Sequence, residues 1–190
     1  MSEVKERILS VGIQLFSKKG YHNVGLNELL KTAEVPKGSF YHYFESKEDF
    51  GLQVINTYSS KGIVNFQRAL EDKNLSPKSR IIGFYTKMSE HYLNKECREG
   101  CLMGNSSNEL SDLADSFSHV ISQEFNLWQN TLEKCIVEAQ DVGEITKDSE
   151  SRMLASFVLN SWEGALLRMK CEKTDEPLKD FISGLNIILK

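Results

Sequence analysis

The sequence predicts an all-α fold of about nine helices, on three grounds. Apolar residues recur at steps of three and four along nearly every apolar stretch, the period of an amphipathic helix. No stretch shows the apolar–polar alternation of a strand. Cap residues, prolines and glycines punctuate the chain where such helices begin and end.

The first helix is read from Val4, with Ile8, Leu9, Val11, Leu15 and Phe16 on its apolar side. Ser2 is a cap in front of it. Lys18, Lys19 and Gly20 close it with basic residues that suit the helix dipole and a terminal glycine. A short helix over 26–34 turns Leu26, Leu29, Leu30 and Ala33 inward. Val35-Pro36-Lys37-Gly38 is a turn, because Pro36 lacks an N–H and biases Val35 away from helix. A third short helix covers Ser39 to Phe44. Ser46 with Asp49 three residues on forms a capping-box-like start for a long helix to about Asp72. The rest alternates amphipathic stretches with short breaks. Helices are expected from Pro77 to about Glu96, Gly100 to about Leu113, Ala114 to Gln140, Lys147 to Glu172, and Pro177 to Leu189.

Composition bounds the function. The 190 residues are 40% hydrophobic and 26% charged, which fits a chain that buries a core and excludes a disordered one. No stretch approaches the ~20 apolar residues of a membrane span, and the charged N-terminus is unlike a secretory leader. A cytoplasmic protein with no membrane partner is expected. Residues 1–47 carry a net charge of +2 and residues 48–190 carry −6, a weakly basic head on an acidic body. Cys97, Cys101, Cys135 and Cys171 form no C-x-x-C and no zinc spacing with the four histidines, so no metal and no cofactor are expected.

Three short helices in the first 45 residues, the last two joined by a tight turn, match a helix-turn-helix. Phe40 and Phe44 lie four apart, on one face, as core anchors. Lys37, Ser39, Tyr41, His42 and Tyr43 then lie on the remaining surface as donors of the kinds that contact phosphate and sugar. Gly38 permits close backbone approach, and Lys47 at the next helix start can add a phosphate contact. A helix this short cannot bury four aromatics on one side.

Residues 1 to about 60 resemble the TetR/AcrR family of bacterial transcriptional regulators. The resemblance rests on Gly20-Tyr21, on Val24 through Leu30, on Ala33 through Phe44, and on Ser46-Lys47-Glu48. Two departures stand out. The hydroxyl residues usual near Val24 and Gly25 are missing, so Asn27 is the candidate for that phosphate contact. Glu34 replaces a usual glycine in the turn, where it sits close to DNA or holds a basic neighbour. The resemblance implies a DNA-binding domain over 1–60, an effector-binding and dimerisation domain over 61–190, and a homodimer that places two recognition helices on a palindromic operator of double-stranded DNA. It also implies a dimer contact through the last two long helices, with Leu154 and Phe157 on one and Phe181, Leu185 and Ile188 on the other. These faces are expected to pack both within and between protomers.

Gly100 through Asn105, Glu109 through Asp112, and Trp162 through Lys170 further resemble the N-ethylmaleimide-responsive subgroup of repressors. That resemblance implies sensing of reactive electrophiles through Cys101, with Lys170 as a partner and Met103 and Asn105 close by. A thiol near a helix start gains thiolate character, which suits alkylation or oxidation. The other sensing mode is reversible binding of an apolar or aromatic effector, lined by Met103, Phe125, Trp128, Phe157 and Trp162. Lower in rank are a thiol enzyme using Cys101 and a helical adaptor without DNA affinity.

Overall fold

The computed structural model describes residues 2–190, and among them contains nine α-helices and no strand. They are α1 (Glu3–Lys19), α2 (Leu26–Ala33), α3 (Lys37–Tyr43), α4 (Lys47–Leu70), α5 (Pro77–Leu93), α6 (Leu102–Leu110), α7 (Asp115–Asp141), α8 (Ser151–Glu172) and α9 (Glu176–Ile188).

Local chemistry accounts for most of the ends. The Lys5 amide donates to Ser2 Oγ at 3.3 Å, and α1 stops at Gly20 with φ +79°. The Asp49 amide donates to Ser46 Oγ at 3.0 Å and opens α4. Ser76 caps α5 with Pro77 in its first turn.

Some ends differ from the sequence expectation. α3 begins at Lys37, because Pro36 serves as its N-cap and its carbonyl accepts from the Ser39 amide at 3.0 Å. α5 ends at Leu93, where Glu96 and Cys97 take left-handed φ of 55° and 54° and send their amides back to Leu93 and Tyr92. α6 is confined to Leu102–Leu110. α8 starts at Ser151, not Lys147, because Gln140 Nε2 donates to the Thr146 and Ser149 carbonyls and holds that segment as a turn.

The chain divides into two compact units. The first holds the described residues up to Lys61 together with Cys101–Glu124; the second holds Gly62–Gly100 and Phe125–Lys190. The sequence reading placed 101–124 in the C-terminal domain. In the structure this stretch belongs with the first unit, because the Glu109 carboxylate binds backbone amides at the end of α1 and Phe117 packs on Tyr21.

The first unit is built on aromatic edges. Phe16, Phe40, Phe44 and Phe50 meet with ring centroids 5.0–5.6 Å apart, and Ile8, Leu9 and Val54 fill around them. Edge-to-face contacts of this kind add to the area they bury. The second unit has its own core. Tyr85, Trp162 and Phe181 meet pairwise at 5.1–5.2 Å, and Phe66 lies between Phe84 and Trp128 at 4.5 and 5.0 Å.

Candidate nucleic-acid interface

The surface of α2 and α3 follows from which residues the core consumes. Leu29, Leu30 and Ala33 of α2 are buried, as is Phe40 of α3, and Phe44 caps that helix from inside. Two helical rows are left facing water. Lys37 and Tyr41 form one, Gly38 and His42 the other, each four residues apart. Tyr41 is 57% exposed, far outside what an aromatic core residue shows. Ser39 and Tyr43 are half-buried, and the His42 ring meets the Tyr43 edge at 4.8 Å. On α2, Asn27, Lys31 and Thr32 are exposed. The result is a short helix with an apolar root and a polar, aromatic and cationic outer surface, which is what a phosphate- and groove-contacting element needs.

Gly25 is the N-cap of α2 and supplies no side-chain cap, while Val24 is fully buried. Asn27, the second residue of α2, is exposed. Lys47 takes a different role from the one its sequence position suggested. Its Nζ donates to the Tyr21 carbonyl at 2.9 Å and sits 4.4 Å above the Tyr21 ring. Burial holds this ammonium below the usual lysine value, with Glu109 opposing the shift.

Glu34 is the C-cap of α2 in left-handed conformation, φ 56° and ψ 44°, and its amide returns to the Leu30 and Lys31 carbonyls. It thus fills a glycine position at a steric cost. Among the described residues no basic side chain pairs with its carboxylate, so of the two roles open to it, holding a basic neighbour is not the one adopted. Glu34→Gly is expected to raise unfolding stability by about 0.5–1 kcal/mol, the left-handed strain less glycine's entropy. Urea titration of the two proteins checks this.

The expected effector residues fall in both units. Cys101 is the N-cap of α6, half-buried, and Tyr58 Oη donates to its Sγ at 4.0 Å. Asn105 lies one turn on, its amide bonded to the Cys101 carbonyl and its buried Nδ2 without a partner. Met103 is 2% exposed and belongs to the core of the first unit. In the second unit Phe125 and Lys170 are half-buried. Trp128 stacks on Phe66, and a Cβ on Gly62 would come within 2.6 Å of its indole, so that glycine lets the ring close. Trp162 is enclosed by Tyr85, Tyr92 and Phe181. The side chains of Met103 and Trp162 are thus covered by their neighbours. No disulfide joins any of the four cysteines among the described residues. Burial pushes Cys135 up to about 11, and its S–H donates to the Pro77 carbonyl at 3.4 Å. Burial also raises Cys97.

The expected dimer residues separate in the same way. Leu154, Phe181 and Leu185 are buried inside the second unit and Ile188 is half-buried, because the apolar faces of α8 and α9 pack on each other. Phe157, 51% exposed, is the most open of the five. It stands in a row with Met153 and Leu167, also exposed, on the side of α8 opposite its buried face. Asn160 and Gly164 lie between them, and Ile187 on α9 is 63% exposed. Leu167 and Ile187 were not among the expected dimer residues; steps of three and four along α8 from Phe157 were the signal for Leu167.

Comparison with known proteins comes to the same place. The family described as bacterial regulatory proteins, tetR family, matches residues 8–54, and the tetracyclin repressor-like C-terminal domain matches residues 77–185. The chain is 38% identical over 180 residues to the HTH-type transcriptional repressor DhaR of Mycobacterium sp. (strain GP1), covering 95% of this chain and 89% of that one. It is similar to the crystal structure of regulatory protein TetR from Rhodobacter sphaeroides, with TM-score 0.95, 35% identity and full coverage of both chains at 100%. The reduced form of E. coli NemR gives TM-score 0.88 and 30% identity, covering 99% of this chain and 98% of that one.

Proposed function

Starting from the fact that this chain belongs to the TetR family of bacterial transcriptional regulators and is a DNA-binding regulator of that kind, we propose that it is a repressor. Two copies grip a palindromic operator, each through α2 and α3, and let go when a small-molecule effector favours the form that does not fit DNA. The observation that carries the DNA-contact reading is the outer face of α3. Lys37, Tyr41 and His42 stand in water on a helix whose other side, Phe40, is sealed in the core. Lys37 and Tyr41 are read as phosphate and groove contacts, with Asn27, Ser39, His42 and Tyr43 beside them and Gly38 giving clearance. Homodimerisation is assigned to the Met153, Phe157 and Leu167 row with Ile187, since an apolar row of this kind is costly to leave in water.

The effector reading favoured here is a reactive electrophile that alkylates Cys101. Its support is the position of this thiol at the α6 N-cap beside the Tyr58 hydroxyl, half-buried where Cys97 and Cys135 are sealed. A reversible apolar ligand is the second reading, with Phe125, Trp128 and Phe157 the more open of its expected lining residues. In either mode the effector must bind the DNA-incompetent form better, or no equilibrium shifts.

Fluorescence anisotropy on the intergenic DNA upstream of the gene tests both levels. Wild type is expected to bind with strong salt dependence, and Tyr41→Ala to bind roughly tenfold or more weakly, as loss of a groove and phosphate contact implies. N-ethylmaleimide is expected to release wild type and to leave Cys101→Ser bound. Equal release of both proteins would move the sensor away from Cys101 while leaving the repressor intact.

A further inference from the structure

One carboxylate outside the DNA-facing surface is built into the turn that leads to it. Glu109, in the last turn of α6, accepts from the Tyr21 amide at 2.8 Å and from the His22 amide at 3.4 Å. Two consecutive amides converging on one carboxylate form an anion nest. The nest needs Gly20, which has φ +79°; a Cβ there would lie 2.0 Å from Glu109 Oε1. His22 Nε2 also lies 3.4 Å from the Glu109 carbonyl, so the turn is tied to α6 at backbone as well as side chain.

The residue so held is gripped from every side. The Tyr21 carbonyl accepts from Lys47 Nζ at 2.9 Å, and that ammonium lies over its ring. The ring meets Phe16 edge-on at 5.3 Å and Phe117 at 5.6 Å. Tyr21 is thereby fixed by α1, by the start of α4, by the end of α6 and by the start of α7. Four residues later comes Gly25, the N-cap of α2, which has no side-chain cap of its own. The start of α2 is therefore set by where this turn is held. α2 in turn carries α3.

We propose that Glu109 is a positioning residue for DNA recognition. It contacts no base or phosphate; it acts through the Tyr21 and His22 amides to fix the turn that aims α2 and α3.

The sign of its effect separates this role from plain electrostatics. Removing a negative charge from a DNA-binding unit by itself strengthens attraction to phosphate. Loss of positioning weakens binding. Glu109→Ala is expected to bind the upstream fragment about tenfold more weakly, the scale of one charge-assisted hydrogen bond. Glu109→Gln is expected to fall between, since its amide oxygen still accepts from Tyr21. The salt slope of binding should match wild type in both, because no phosphate contact is lost. Amide hydrogen exchange at Tyr21 and His22, measured without DNA, should speed up in both variants. The proposal is overturned if either variant binds as tightly as wild type or tighter, or if exchange at these two amides is unchanged. Should Glu109→Ala fail to fold, Glu109→Gln decides by the same two readings.

Discussion

Phe157→Glu is expected to sediment as a monomer at concentrations where the wild type is a dimer. The expectation follows from the two sides of α8. Its buried side, with Leu154, Val158, Trp162, Leu166 and Met169, holds the second unit together. Its outer side carries Met153, Phe157 and Leu167 in water, with Gly164 between them to let another backbone approach. Burying one phenylalanine contributes about 1.5–3 kcal/mol, and a two-fold axis repeats the contact. The loss is then about 3–6 kcal/mol, more than a hundredfold in the dimer dissociation constant. Two carboxylates facing each other across the axis add to it. The protomer itself should still fold, because Phe157 is 51% exposed and the buried side of α8 is left intact. Leu154→Glu is the contrasting variant, expected to unfold the protomer outright. Persistence of the dimer in Phe157→Glu, by sedimentation equilibrium, would put the interface elsewhere. Because a palindrome is read by two linked copies, the monomeric variant should also lose most of its operator affinity.

Arg80→Ala is expected to cost about 3 kcal/mol of stability, roughly 6–12 °C in Tm for a chain of this size. Arg80 is only 3% exposed, yet four of the five N–H groups of its guanidinium have acceptors. It forks onto both Glu138 oxygens at 2.9 and 3.0 Å and donates to the Leu70 and Leu75 carbonyls at 2.8 and 2.9 Å. Truncation takes a side-chain donor from the end of α4 and from the turn before α5, and leaves the Glu138 carboxylate of α7 to Lys73 alone. The figure sits at the low end for a buried pair because the Glu138 side chain is 36% exposed and water can partly replace the arginine.

The pair also sets an acid response. Hydrogen bonds from Arg80 and then Lys73 pull the Glu138 carboxyl from an ordinary 4.5 down to about 2. A folded value below the unfolded one gives stability that is complete above about 4.5 and is lost as pH falls toward 2. Wild type should therefore destabilise through that window, and Arg80→Ala should show a shallower acid slope across it. Equal slopes in the two proteins, from urea titrations at several pH values, would remove Glu138 as the source.

Much of the exposed α3 surface was legible in the sequence because it depends on local period. Phe40 and Phe44, four apart, had to face one way, and Lys37, Tyr41 and His42 were left outside. Glu34 was visible as a departure, but its left-handed φ belongs to the folded turn. Leu154 and Phe157 read alike in the sequence, three apart on one helix and both apolar; one is core and the other is surface. Lys47 read as a free cation at a helix start, and its partner is a carbonyl 26 positions earlier. Glu109 stood out only within a resemblance, and nothing tied it to the α1–α2 turn, since a carboxylate 87 and 88 residues from the amides it binds leaves no spacing to read.

By itself, then, the sequence determined the helices, their order, and the helix-turn-helix surface, because caps, prolines and the three-to-four residue repeat act between near neighbours. The tertiary structure alone decided which apolar faces stay open, which cations stay in water, and where α6 takes hold of the α1–α2 turn. Those outcomes depend on which side chains arrive from distant parts of the chain, and burial and hydrogen bonding are settled only when they meet.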